Sequence, residues 1–160
     1  MASVAQQQAN EALQANGNNP AKALSAFDDQ FGVIYDGRAM KSIYDEYHLA
    51  RYGPQGWTIN HRYIGETGFK LEFMDTGEEN ISRHFDADQT HHFGAFFSAG
   101  INGHSASLLY NLTDNSGDVN LGNAGYDLGR DLAAHPNKLR RIGAIIRSKI
   151  CDRAMRGRHL

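Results

Sequence analysis

Residues 87–103, ADQTHHFGAFFSAGING, decide how the rest of the chain is read. Phe93, Phe96, Phe97 and Ile101 recur at helical spacing, and Asp86 with Gln89 three residues later resembles a capping box. The pattern predicts a central helix that begins near residue 87. It either ends at the Asn102-Gly103 pair or continues, kinked, through Leu108, Leu109 and Leu112. At about 100° per residue, the face bearing Asp88 and His92 runs on into Ala95, Ala99 and Gly103, while the phenylalanines fill an adjacent sector. Such a groove of small residues accepts a second helix closely.

A suitable second helix lies downstream. Gly122, Gly125 and Gly129 form one bare stripe, and each glycine costs a helix about 1 kcal/mol relative to alanine. Close packing against the Ala95 and Ala99 groove is the expected compensation. Asp118 or Asn120 is the expected cap of this helix, which carries Leu121, Leu128 and Leu132 and stops at His135-Pro136. Asn137 is the expected cap of a last helix with the stripe Leu139, Ile142, Ile145, Ile146 and Ile150.

Upstream, Asn19-Pro20 supplies an N-cap and a first helical residue for a helix at 20–31 carrying Leu24, Phe27 and Phe31. Met40, Ile43, Tyr44 and Tyr47, between the turn signals Asp36-Gly37 and Gly53-Pro54, predict another at 38–51. From 57 to 85 apolar residues alternate and glycines interrupt them, which suits a small β-hairpin or irregular segment. Residues 1–19 are rich in Gln, Asn and Ala, with Glu11 their one charge and no sustained apolar stripe. They read as a disordered or loosely helical polar arm. The expected architecture is therefore mainly α: a single-domain bundle of four or five helices over 20–155, with the small segment at 57–85 and a basic tail at 156–160.

A length of 160 residues and a 41% apolar composition suit one folded domain and argue against disorder. Cys151 stands alone, which excludes an internal disulfide framework and CxxC motifs. No apolar run approaches the roughly 20 residues that span a bilayer, and the first 20 residues lack the apolar stretch of a secretion signal, so the chain reads as soluble with no membrane partner. Charge is uneven: residues 138–160 are net +7, from Lys138, Arg140, Arg141, Arg147, Lys149, Arg153, Arg156 and Arg158 against Asp152, and the remainder is net −9. Such a basic C-terminal helix can meet an anionic polymer, or can simply suit its own helix dipole and the acidic remainder.

The first chemical candidate is GETGFKLEFMDTG, residues 65–77. Glycosidic hydrolysis needs two carboxyl groups in different surroundings, one kept protonated and one ionised. Glu66 lies among Ile64, Phe69 and Trp57, whereas Asp75 stands at a Thr-Gly turn that solvates it. Both also suit ordinary solvated turns. The stretch resembles the active-site segment of phage-type lysozymes, in which a Glu is followed nine residues later by an Asp, and its Glu-Thr-Gly-Phe run is similar to the acid motif of lytic transglycosylases. The resemblance implies a glycoside hydrolase acting on peptidoglycan or a related amino-sugar glycan. Glu66 would be the general acid and Asp75 the stabilising carboxylate or base, with His91 and His92 positioning substrate, Trp57, Asp88 and His84 contacting it, and no cofactor.

The second candidate is HFDADQTHHF, residues 84–93. Asp88, His91 and His92 share one helical face, a spacing that suits ligands for a divalent metal ion completed by His84 or His104, or a His–Asp proton-transfer pair. Either option makes the chain a phosphoesterase, metal-dependent or acid/base, that holds nucleic acid on its basic helix, a nuclease-like effector. The structural alternative places the same histidines half-buried at a helix contact, with Asp88 fixing their tautomer. A third class is non-enzymatic: a helical interaction module of a larger secreted or phage-encoded protein.

Overall fold

The computed structural model describes residues 2–32, 70–73, 87–112 and 116–151. Among them the chain is helical: α1 (Ala2–Ala15), α2 (Pro20–Phe27), α3 (Ala87–Ile101), α4 (Ser116–Ala134) and α5 (Ile142–Lys149). A π-helical turn, Asp28–Gly32, continues α2, and short 3₁₀ segments cover Leu71–Phe73, Ala106–Leu112 and Pro136–Arg141. This is the mainly α architecture read from the sequence. The helix expected at 38–51 and the hairpin expected within 57–85 lie outside the described residues, except for Lys70–Phe73.

Local signals set several boundaries. The Asn19 side chain accepts from the Ala21 and Lys22 amides at 3.1 and 3.3 Å, with Pro20 in the first turn of α2, as its type dictates. Helix α3 stops at the Asn102-Gly103 pair. Gly103 takes φ +66°, and the His104 and Gly103 amides donate to the Ala99 and Gly100 carbonyls at 2.9 and 3.4 Å, a Schellman closure. Two expected caps are corrected. Helix α4 already begins at Ser116, so Asp118 lies in its first turn, buried, and Asn120 lies further inside. His135-Pro136 ends α4 but opens a 3₁₀ segment that contains Asn137, and α5 starts only at Ile142.

The expectation of a disordered or loosely helical arm is also corrected. Ala2, Ala5, Ala9, Ala12 and Leu13 recur at three- and four-residue spacing and are buried in the core, against α2 and α5. Alanine contributes little apolar area but is the best helix former and admits a neighbour closely. Thus a Cβ on Gly143 of α5 would stand 2.5 Å from the Ala2 carbonyl and 2.7 Å from Gln6 Cβ. Gln6 ties the pair together: its Oε1 accepts from the Gly143 amide at 3.1 Å and its Nε2 donates to the Arg140 carbonyl at 3.1 Å.

The other half of the core is the contact of α3 with α4, the most extensive between any two described helices. The glycine stripe does pack on α3, but on a different face from the one expected. Gly122 meets the Phe96 ring, Gly125 the Phe93 carbonyl, and Gly129 the Phe97 carbonyl and Ile101 amide, while Gly100 answers from α3 against the Tyr126 carbonyl. From Gly125 on Phe93 to Gly129 on Phe97 and Ile101 the contacts advance in the same direction along both helices, so α3 and α4 run parallel over this stretch. Ala95 and Ala99 are buried, but the glycines sit on the phenylalanine sector. A bare stripe gains more from ring and backbone surface than from another bare groove, because dispersion needs atoms on both sides.

Phe27 and Phe31 stack at 5.3 Å, Phe93 and Phe97 stack at 5.4 Å, and Phe97 meets the first pair edge-on at 6.2 and 5.9 Å. This aromatic cluster fastens the end of α2 to the middle of α3. No described helix is long and apolar enough to cross a membrane.

Candidate functional site

Of the residues assigned chemistry from the sequence, Trp57, Glu66, Asp75 and His84 lie outside the described residues. Asp88, His91 and His92 occupy the first two turns of α3. His104 does not join them. Roughly 14 Å of helix axis, nine residues at 1.5 Å each, separates His92 from the end of α3 at Ile101, and His104 lies beyond that end. It therefore cannot complete a metal site with Asp88, His91 and His92.

The segment between Glu66 and Asp75 has a firm anchor. The Lys70 amide donates to the Ile150 carbonyl at 2.9 Å, Asn120 Nδ2 donates to the Glu72 carbonyl at 3.0 Å, and Phe73 is buried in the core. Lys70 follows Glu66 by four residues and Phe73 precedes Asp75 by two. The 3₁₀ turn Leu71–Phe73 rests on α4, the helix that also supports α3.

A buried polar cluster that the sequence reading missed sits where α2 meets α3. Asp28, 4% exposed, opens the π-helical turn, a distortion often found at functional sites. Its Oδ2 accepts from Asn102 Nδ2 at 2.6 Å and from Ser98 Oγ at 3.2 Å, while Oδ1 is buried without a partner among the described residues. Burial pushes the Asp28 carboxyl above its ordinary pKa and the neighbouring Asp29 charge adds to this, against the hydrogen bonds from Asn102 and Ser98 and the charge of His104. The arrangement holds a proton well and clamps the π-turn to α3. The signal was present: Leu24, Phe27, Asp28 and Phe31 form one helical stripe, and an acid inside an apolar stripe marks a carboxyl bound for burial.

A second charged cluster ends α4. Lys138 Nζ grips Asp131 at 2.6 and 2.7 Å, and His135 Nδ1 lies 3.0 Å from the same carboxylate. The Lys138 hydrogen bond leads in holding Asp131 below its ordinary pKa, and its charge and His135 act the same way. It closes the helix end, where cations also meet the dipole.

On α5 and the segment before it, Arg140, Arg141, Arg147 and Lys149 are exposed. Arg140 donates to the Asn18 carbonyl at 2.6 Å, and none of the four pairs with a carboxylate among the described residues. Comparison of the chain with protein-family models, curated proteins and solved structures gives no match.

Proposed function

We propose that the protein is a small glycoside hydrolase acting on peptidoglycan or a related amino-sugar glycan, with Glu66 as general acid and Asp75 as the second carboxylate. The observation that carries this reading is the anchoring of Lys70–Phe73 to α4 and to Ile150. Two carboxyl groups hydrolyse a glycoside only if their separation is held: about 5–5.5 Å for retention, about 6.5–9.5 Å for inversion. A chain segment pinned midway to a rigid helix supports that requirement. Glu66 protonates the leaving oxygen, and Asp75 stabilises the developing cation, attacks it, or activates water. His91 and His92, at the start of α3, together with Trp57, Asp88 and His84, hold the sugar.

The test is release of soluble fragments from purified peptidoglycan by the wild type and by Glu66→Gln, each with and without EDTA, after circular dichroism shows both folded. Release lost only in the variant supports the carboxylate pair. Release in no condition overturns the glycosidase reading.

A second reading makes Asp88, His91 and His92 a divalent-metal centre for phosphoester cleavage. Arg140, Arg141, Arg147 and Lys149, exposed and with no carboxylate partner among the described residues, favour it, because a cationic face attracts an anionic polymer such as nucleic acid. EDTA-sensitive cleavage of DNA or RNA that survives Glu66→Gln would establish it in place of the first.

A further inference from the structure

Helix α1, which neither reading uses, buries one side and leaves a polar row on the other. Ser3, Gln7, Asn10, Glu11 and Gln14 are exposed and share one helical face, opposite the buried alanines. With Arg147 of α5 they line an open cleft of about 450 Å³, in which Glu11 is the one acid. Arg140 borders the same cleft: Gln6, another of its walls, donates to the Arg140 carbonyl at 3.1 Å, and the Arg140 guanidinium reaches the Asn18 carbonyl just beyond α1. Neither arginine has a carboxylate partner among the described residues. The amides hold one another in place. Gln6 Nε2 donates to Asn10 Oδ1 and Gln7 Nε2 to Glu11 Oε1, both at 3.0 Å, which leaves the Asn10 Nδ2 donors and the Gln7 Oε1 acceptor without a partner among the described residues.

We infer that α1 and the arginines beside it form a face for duplex DNA, with the polar row of α1 in the major groove and Arg140 and Arg147 on the phosphates. The inference deepens the phosphoesterase reading by giving its nucleic acid a docking helix, and it requires no metal centre. The major groove is about 12 Å wide and admits one α-helix. Asn and Gln amides pair there with the edge of adenine, and a Glu carboxylate accepts from the amino group of cytosine. Side chains already held by their neighbours meet those edges with little loss of freedom. The arginines add attraction to the backbone that is indifferent to sequence, and Arg140 keeps donors beyond the one on Asn18. An anionic membrane would engage the same cations but leave the amide row idle, because a lipid-docking helix sets apolar side chains beside its basic ones. Every exposed position of α1 from Ser3 to Gln14 is polar.

The experiment titrates the full chain, in EDTA and over a salt series, against a labelled random-sequence duplex, the matching single strand and phosphatidylglycerol vesicles, and sequences the duplexes retained from a random pool. The variants are Arg147→Ala, Gln7→Ala, Asn10→Ala and, as a control that removes the same charge from α4 outside the cleft, Arg130→Ala, each checked for folding by circular dichroism. Expected for Arg147→Ala is a duplex Kd about three- to tenfold weaker, with the salt slope lower by about one. Arg130→Ala binds like the wild type. Gln7→Ala and Asn10→Ala reduce the enrichment of the preferred sequence by about fivefold or more, a change that a merely cationic surface would not show. Such binding without cleavage once magnesium or manganese is supplied supports this face while the phosphoesterase reading fails. Cleavage by a chain whose duplex binding ignores Arg147→Ala leaves that reading standing and overturns the inference. It is also overturned by no duplex binding, by tighter binding to the single strand or to vesicles, by equal losses in Arg130→Ala and Arg147→Ala, or by a retained pool without sequence preference.

Discussion

Gly129 sits so close to the Phe97 carbonyl that any Cβ on it would overlap the oxygen, and would stand 2.9 Å from the Ile101 amide as well. The obstruction is backbone, which cannot swing aside. Gly129→Ala gains about 1 kcal/mol of helix propensity but forces α3 and α4 apart, for an expected net loss of about 2–3 kcal/mol. At Gly122 the obstruction is the Phe96 ring, at 2.9–3.0 Å, which can tilt. Gly122→Ala should therefore cost clearly less. Urea unfolding of the two variants checks the order, and equal costs would contradict a backbone-limited contact.

The second prediction concerns α1. Ala5 is fully buried while Ser3, two residues away, is exposed. Ala5→Glu drives a carboxylate into the contact with the neighbouring helices and should cost about 3 kcal/mol or more, through both charge burial and overpacking. Ser3→Glu should change stability by less than about 0.5 kcal/mol. Thermal unfolding of both separates a packed helix from a loose arm, because an arm would tolerate either change.

Asp28 makes stability depend on pH in a definite direction. Burial raises its carboxyl pKa in the folded chain above the unfolded value, so the folded state keeps the proton over a window in which the unfolded state has lost it. The contribution is therefore whole below the ordinary carboxylate range and is lost as pH rises through the raised value. Asp28→Asn mimics the protonated group. Its Tm relative to wild type should rise by a few degrees between about pH 4 and about pH 7. A Tm difference that stays constant over that range would show that Asp28 is not protonated by its surroundings.

Asp131 behaves oppositely. Lys138 holds its pKa down, so the pair stabilises the fold above the ordinary carboxylate range and ceases to do so as pH falls through the depressed value. The Asp131 side chain is 29% exposed and that of Lys138 37%, so solvent screens the pair. Lys138→Met is expected to cost about 0–1 kcal/mol at neutral pH and nothing in strong acid. Urea titrations at both pH values, with and without added salt, measure it.

Where a boundary depends on a few consecutive residues, reading the chain was enough. Asn19-Pro20, Asn102-Gly103 and His135-Pro136 act through their own dihedral preferences and hydrogen bonds, and each appears in the structure as a start or a stop. The phenylalanine spacing likewise marked α3, and the spacing of Leu139, Ile142, Ile146 and Ile150 marked the buried side of the C-terminal segment. The carboxylates and histidines of the candidate site were legible only as residue types at suggestive spacings. Their chemistry depends on separations that spacing does not contain.

The sequence by itself determined that the chain is helical, where several helices begin and end, and that a glycine-striped helix must lie close to a neighbour. Only the tertiary structure decided which face receives the glycines, that the alanine stripe of α1 is core and not arm, and that Asp28 is clamped by Ser98 and Asn102 some 70 residues away. The division has one physical cause. Caps and periodicity act within one or two turns, whereas burial energy and close contact depend on surfaces that only folding brings together.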